Sequence, residues 1–143
     1  MRTLVCAALF MVACAPGDRS RAPAGPGAKY AGTWEGRSFR SASDSGTPWR
    51  IVTAVVQDGS LRGTMTFTSV TAAPVPIRTR DVSDTGVVNE LGPYHSPTAN
   101  ADVVTIATGK VRGDSLNGTF EMRPAAGGNT IMSGTFRSKR VAP

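Results

Sequence analysis

The sequence predicts an all-β protein: a small antiparallel up-and-down β-barrel of about eight strands, preceded by a signal peptide and a flexible tether. Three observations carry this reading. Apolar and polar residues alternate along several segments, and no stretch shows a helical period. Turn signals recur at intervals of roughly ten residues, as short strands joined by hairpins require. A short pattern also repeats. Asp58-Gly59-Ser60-Leu61-Arg62-Gly63-Thr64-Met65 matches Gly113-Asp114-Ser115-Leu116-Asn117-Gly118-Thr119-Phe120, with a looser third copy over Asn129–Phe136. Each copy reads as a tight turn, an inward Leu or Met, then a Gly on the same face. Gly at that place lets a sheet bend sharply, or lets a large side chain lie over it. Such a sheet is expected to coil and close on itself.

The chain opens with a targeting segment. Arg2 supplies a positive charge, and Thr3–Ala13 is an apolar run of eleven residues. A membrane-spanning helix needs ~20. The run has instead the length of a signal-peptide core, so residues 1–13 are expected to be removed. The run ends in Met11-Val12-Ala13-Cys14. This resembles the lipobox of bacterial lipoprotein precursors, with Met11 where Leu is usual. The resemblance implies a diacylglyceryl thioether on Cys14, cleavage after Ala13 and acylation of the new amino group. The partner it implies is a membrane, held through the lipid anchor at Cys14. More than one acyl chain anchors stably, because each buried CH₂ contributes ~0.8 kcal/mol. Ala15 follows the Cys, which by sorting analogy favours an outer membrane and a domain facing the periplasm. Cys6 would leave with the signal peptide, so the mature chain keeps one Cys and forms no disulfide.

Residues 14–29 carry the lipidated Cys and a Pro- and Gly-rich stretch, read as a flexible tether. The barrel domain is expected over 30–140. Its strands are expected at 31–41, 48–57, 60–68, 75–82, 85–91, 102–112, 115–123 and 129–139. Leu61, Met65 and Phe67 alternate with Arg62, Thr64 and Thr66; Leu116, Phe120 and Met122 alternate with Asn117, Thr119 and Glu121. Pro74 and Pro76 point to an edge or a strand start near 75. Asp58 and Asp114 fall in matching turns, where Asp is favoured for its local hydrogen bonds.

Gly32-Thr33-Trp34 opens the first strand, and Arg137 and Arg140 lie on the last. This resembles the calycin pattern shared by lipocalins and avidins, and residues 31–68 look most like the start of an avidin. The resemblance implies that Gly32 and Trp34 close the base of the barrel and that Arg137 or Arg140 packs over the indole. Avidins stack later tryptophans around biotin. Trp34 and Trp49 are the only two here, so the resemblance extends to the barrel and not to that ligand.

Composition excludes several chemistries. One His and two Cys leave no ligand set for zinc. No phosphate-binding loop, dinucleotide fingerprint or nucleophile elbow occurs, and no cofactor or metal is expected. His95 stands in Gly92-Pro93-Tyr94-His95-Ser96-Pro97. This segment is read as part of a rigid loop over 92–100, with Tyr94 and His95 as its candidate binding residues. Adjacent residues of an extended chain point to opposite sides, so His95 and Ser96 do not aim at each other and no catalytic residue is assigned. The formal net charge is +6. Small clusters occur at Arg78 and Arg80 and at Arg137, Lys139 and Arg140, without the dense stripe and exposed aromatics that nucleic acid requires. The excess suits attraction to anionic envelope surfaces. The function expected is a lipid-anchored, non-enzymatic binding module for a small apolar ligand or an envelope protein. The alternative is a periplasmic inhibitor of a protease or lysozyme acting through loop 92–100, with Tyr94 as anchor. A hydrolase ranks below both.

Overall fold

A computed structural model describes residues 25–142, apart from 71 and 97. Eight strands follow one another: β1 (Gly32–Phe39), β2 (Thr47–Val55), β3 (Leu61–Phe67), β4 (Val75–Val82), β5 (Val87–Ser96), β6 (Ala101–Arg112), β7 (Ser115–Pro124) and β8 (Met132–Val141). Each is antiparallel to its neighbours, and β8 pairs with β1, so the sheet is a closed barrel. Cys14 and residues 1–13, expected to be a lipidation site and a signal peptide, lie outside the described residues.

Alternation decides which side of the wall each residue takes. On β3, Leu61 and Met65 are buried while Arg62, Thr64 and Thr66 are exposed. On β7, Leu116, Phe120 and Met122 are buried between exposed Asn117, Thr119 and Glu121. The apolar side chains fill the interior and the polar ones coat the outside. A barrel whose wall sits in lipid has the reverse arrangement.

The repeated glycines explain how so small a barrel closes. Gly63 on β3 and Gly118 on β7 occupy equivalent places after their turns. A Cβ at either would fall well inside contact distance of a carbonyl oxygen on the next strand, Val52 for Gly63 and Thr108 for Gly118. Only glycine lets the strands bend that tightly. The rings of Phe136 and Phe120 cover Gly118 and Gly134.

Three expectations change. The third copy of the repeat does not follow a tight turn: Asn129–Ile131 belong to the connection 125–131, at the opposite end of the barrel from the other two copies. The segment Pro26–Tyr30, assigned to the tether, forms a 3-10 turn that buries Gly27 and Tyr30. And β5 runs on to Ser96, so residues 92–96 are strand and the loop shrinks to 97–100. Gly92 and Pro93 read as a loop because Pro93 and Pro97 bracket the segment. They form instead an irregularity between Leu91 and Tyr94, beyond which pairing with β6 resumes at Tyr94 and Val103. Pro76 fits the same defect, since β4 pairs with β5 only from Ile77 onward. Other boundaries lie within three residues of those expected.

Candidate functional site

One end of the barrel is plugged. The 3-10 turn Pro26–Tyr30 lies under it, and the turn's last two residues with Ala31 after them leave three successive carbonyls to be satisfied. Arg140 donates to the carbonyls of Lys29 and Ala31 at 2.6 and 2.5 Å. Trp34 Nε1 and Thr53 Oγ1 both donate to the Tyr30 carbonyl at 3.0 Å. The Trp34 indole is fully buried, and the Arg140 guanidinium lies 4.2 Å from its ring centre. Gly32, at φ +118°, starts β1 beside Arg140 Nη1. The two candidate arginines therefore part company. Arg140 covers the indole, while Arg137 points outward and lies over Phe39, 5.8 Å from its ring. The reason is parity: Arg137 and Arg140 are three apart, so on a strand they face opposite sides of the wall.

The other end holds a cavity of about 70 Å³. Trp49, Met65, Ile77, Leu91, Phe120 and Phe136 are among the side chains that line it, with Ser38, Asn89 and Thr105 as polar members. No charged side chain lines it. Trp49 stands edge-on to Phe136 with ring centres 6.1 Å apart, and its Nε1 donates to Ser38 Oγ at 3.0 Å. Asn89 is held by Thr79 Oγ1 at 2.9 Å. The four connections at this end are 40–46, 68–74, 97–100 and 125–131, and among their described residues there is no counterpart of the 3-10 turn.

Tyr94 turns out to belong to this cavity end and not to an inserting loop. Its ring packs on Phe67, centres 6.1 Å apart, and its hydroxyl meets Thr105 Oγ1 at 3.0 Å. Burial pushes the phenol above its ordinary pKa, partly offset by that hydrogen bond. His95, the next residue, is on the outer surface, with Nδ1 3.1 Å from Asp102 Oδ1. Ser96 is buried on the inner side, its Oγ accepting from the Ala99 N–H. His95 and Ser96 thus face opposite sides of the wall and form no base–nucleophile pair.

One buried charge was not expected. Glu90 is buried on the outer wall of β5 beneath Arg78 and Arg80, both of which pair with its carboxylate. Burial alone would raise its pKa, but the two guanidiniums outweigh it and hold the carboxylate below its usual range. The signal for this was the Arg78–Arg80 cluster; its meaning depended on the register that sets Arg78 opposite Glu90. Among the described residues no group of three or more His, Cys, Asp or Glu could hold a metal ion.

Comparison with protein-family models, with curated proteins and with solved structures finds no match for this chain. The chemistry of the cavity and of the surface is therefore the ground for a functional reading.

Proposed function

We propose that the chain is a non-enzymatic binding module, held at a bacterial envelope membrane through a lipid on Cys14, whose barrel takes up a small apolar ligand. The observation that carries this is the apolar, uncharged cavity at the unplugged end. An ionised group placed there would have no counter-charge, so the enclosed part of the ligand is neutral. A pocket for a drug-sized molecule measures ~300–1,000 Å³. About 70 Å³ suits a slender body, such as a single alkyl chain entering end-on. Met65 and Phe67 are the side chains able to yield as it enters, Met65 because its thioether adapts to irregular space. The barrel faces the periplasm from an outer membrane on this reading.

The two tryptophans give the test a built-in reference. Trp49 lines the cavity and Trp34 is sealed beneath the other end. Titrating decan-1-ol should change the fluorescence of Trp49 saturably at one equivalent, and Trp49→Phe should abolish the change. Ala107→Leu, which fills the cavity from β6, should block binding while leaving the protein folded, at a cost of ~1–3 kcal/mol from overpacking. A signal that never saturates, or that survives in Ala107→Leu, would overturn the reading.

A further inference from the structure

The cations of the barrel wall are unevenly matched. On one side Arg50 lies 3.5 Å from Glu35, Arg78 and Arg80 share Glu90, and Arg62 alone has no carboxylate within ion-pair distance. On the other side Arg37, Lys110, Arg112, Arg137 and Lys139 are all exposed, and among the described residues none has a carboxylate within ion-pair distance. Register brings these five together from distant parts of the chain. One rung across the outer face reads Arg37, Arg137, Asn117, Lys110 on β1, β8, β7 and β6. The adjacent rung reads Glu35, Lys139, Ser115, Arg112 on the same strands. Neighbouring strands are ~4.8 Å apart and same-face rungs ~7 Å apart, so the array spans roughly 14 by 7 Å. Its one acid, Glu35, stands at the flank and is taken by Arg50.

The fold gains nothing from this crowding. Like charges directly opposite on neighbouring strands are destabilising, and Arg37 is opposite Arg137. Arg37 donates to the carbonyls of Ser45 and Gly46 at 3.1 and 2.9 Å. Arg137 lies over Phe39. These contacts hold the two guanidiniums in place but leave their charge uncompensated.

We propose that this face, on β1, β6, β7 and β8, docks on the anionic headgroup surface of a lipid bilayer. Three features select a bilayer over other anionic partners. The face is the convex wall of a barrel. Its neutral members, Asn117 and Ser115, are small and let headgroup phosphates approach the cations. And it lacks an anchor for a protein partner, because the exposed large apolar residues, Val52, Val70 and Ile131, lie on β2 and in connections 68–74 and 125–131. Protein interfaces centre on buried aromatic or apolar anchors, and nucleic acid wants stacking aromatics. A diffuse array of cations reads a diffuse negative surface. This face acts whether or not Cys14 carries lipid. With the anchor present it would set the orientation of the barrel, laying its wall along the membrane.

The test uses residues 15–143, which include every strand of the closed barrel and omit Cys14. Co-sedimentation is measured with vesicles of phosphatidylglycerol and phosphatidylcholine in equal parts, and with phosphatidylcholine alone. Binding is expected to the first and not to the second, and to weaken as salt brings the Debye length below ~10 Å. Each cation near such a surface contributes about fivefold to partitioning. Lys139→Ser should therefore lose about fivefold, and Lys110→Ser with Arg137→Ser and Lys139→Ser about a hundredfold. Arg62→Ser, an unpaired cation on β3, should lose less than twofold. Thermal melts identify folded variants, and Lys139→Ser alone suffices if the triple variant does not fold. Equal losses for Arg62→Ser and Lys139→Ser would reduce the effect to net charge and overturn the proposal. So would failure to bind anionic vesicles at low salt, the result expected if the face serves an acidic protein instead.

Discussion

The two ends of the barrel solve opposite problems. At one end the connections are short, 56–60, 83–86 and 113–114, and a 3-10 turn closes the opening. Every backbone carbonyl from Lys29 to Ala31 is met there by a side chain of the wall, and a guanidinium lies on a buried indole. At the other end three of the four connections run to seven residues, the interior side chains do not fill the space, and a cavity remains. Directional polar contacts give rigidity at the first end; apolar contacts without direction leave room at the second. One eight-stranded wall thus provides a fixed base and an adaptable mouth.

The sharpest test of that contrast replaces one tryptophan at each end. Trp34→Ala should cost ~3–5 kcal/mol, because it empties a sealed site and removes one of the two donors to the Tyr30 carbonyl. Trp49→Ala should cost at least ~1 kcal/mol less, since it enlarges space that already exists. Urea unfolding midpoints decide it, and equal costs would remove the distinction between the ends. Next come the two arginines of β8. Arg140→Ala loses two hydrogen bonds from a charged donor and its contact with the indole, about 2–4 kcal/mol together. Arg137→Ala, on the outer surface, should stay within ~0.5 kcal/mol of wild type. A large loss at Arg137 would mean that the base of the barrel extends further up the wall than the contacts indicate.

Glu90 probes the wall between the ends. Its folded-state pKa is lowered, so the carboxylate stabilises the fold above the unfolded value of ~4.3, and that contribution disappears as pH falls through the lowered folded value. Glu90→Gln should therefore melt below wild type at neutral pH, by about 1–2 kcal/mol, and converge with it in acid. A gap that persists at low pH would show that packing, not charge, matters at this position. The smallest effect is expected in the connections. A Gly-Ser-Gly-Ser insert in 125–131 should cost only ~0.5 kcal/mol, the entropy of a longer loop. The same insert between Gly113 and Asp114 interrupts a two-residue hairpin that needs the positive φ of Gly113, and should cost more than twice that, as calorimetry would show.

The alternation of β3, β7 and β8 made the strands and the closed sheet legible, because inward and outward positions have period two whatever lies opposite. Trp34 at the start of the first strand also pointed to the base of the barrel. Other features depended on what the pattern does not encode. Pro26–Tyr30 has the composition of a tether, and only the carbonyl-seeking side chains of Trp34, Thr53 and Arg140 make it a plug. Gly92 and Pro93 look like the beginning of a loop, yet a strand can pass through an irregularity and continue. The cavity was not readable at all, since it is a remainder, the volume left after Phe120, Phe136 and Trp49 have packed. The basic face had the same difficulty. Its charges look scattered along the chain, and only the register sets Arg37 beside Arg137 and both near Lys110.

The pairing of β8 with β1 also bears on the order in which this chain can fold. Arg140 reaches back across 109 residues to the Ala31 carbonyl. Bringing ends so far apart together carries a loop-closure entropy that no local hairpin offsets. The other seven pairings join strands consecutive in sequence, so the closing pair is the one that carries this cost. Until the last strand is available, β1 has an open edge, Trp34 has no guanidinium above it and the carbonyls of Lys29 and Ala31 lack their donor. The native state is therefore gated by the ten residues of β8. A chain ending before β8 should hold hairpins but no barrel, and a chain emerging N-terminus first remains unclosed until its C-terminal strand has followed.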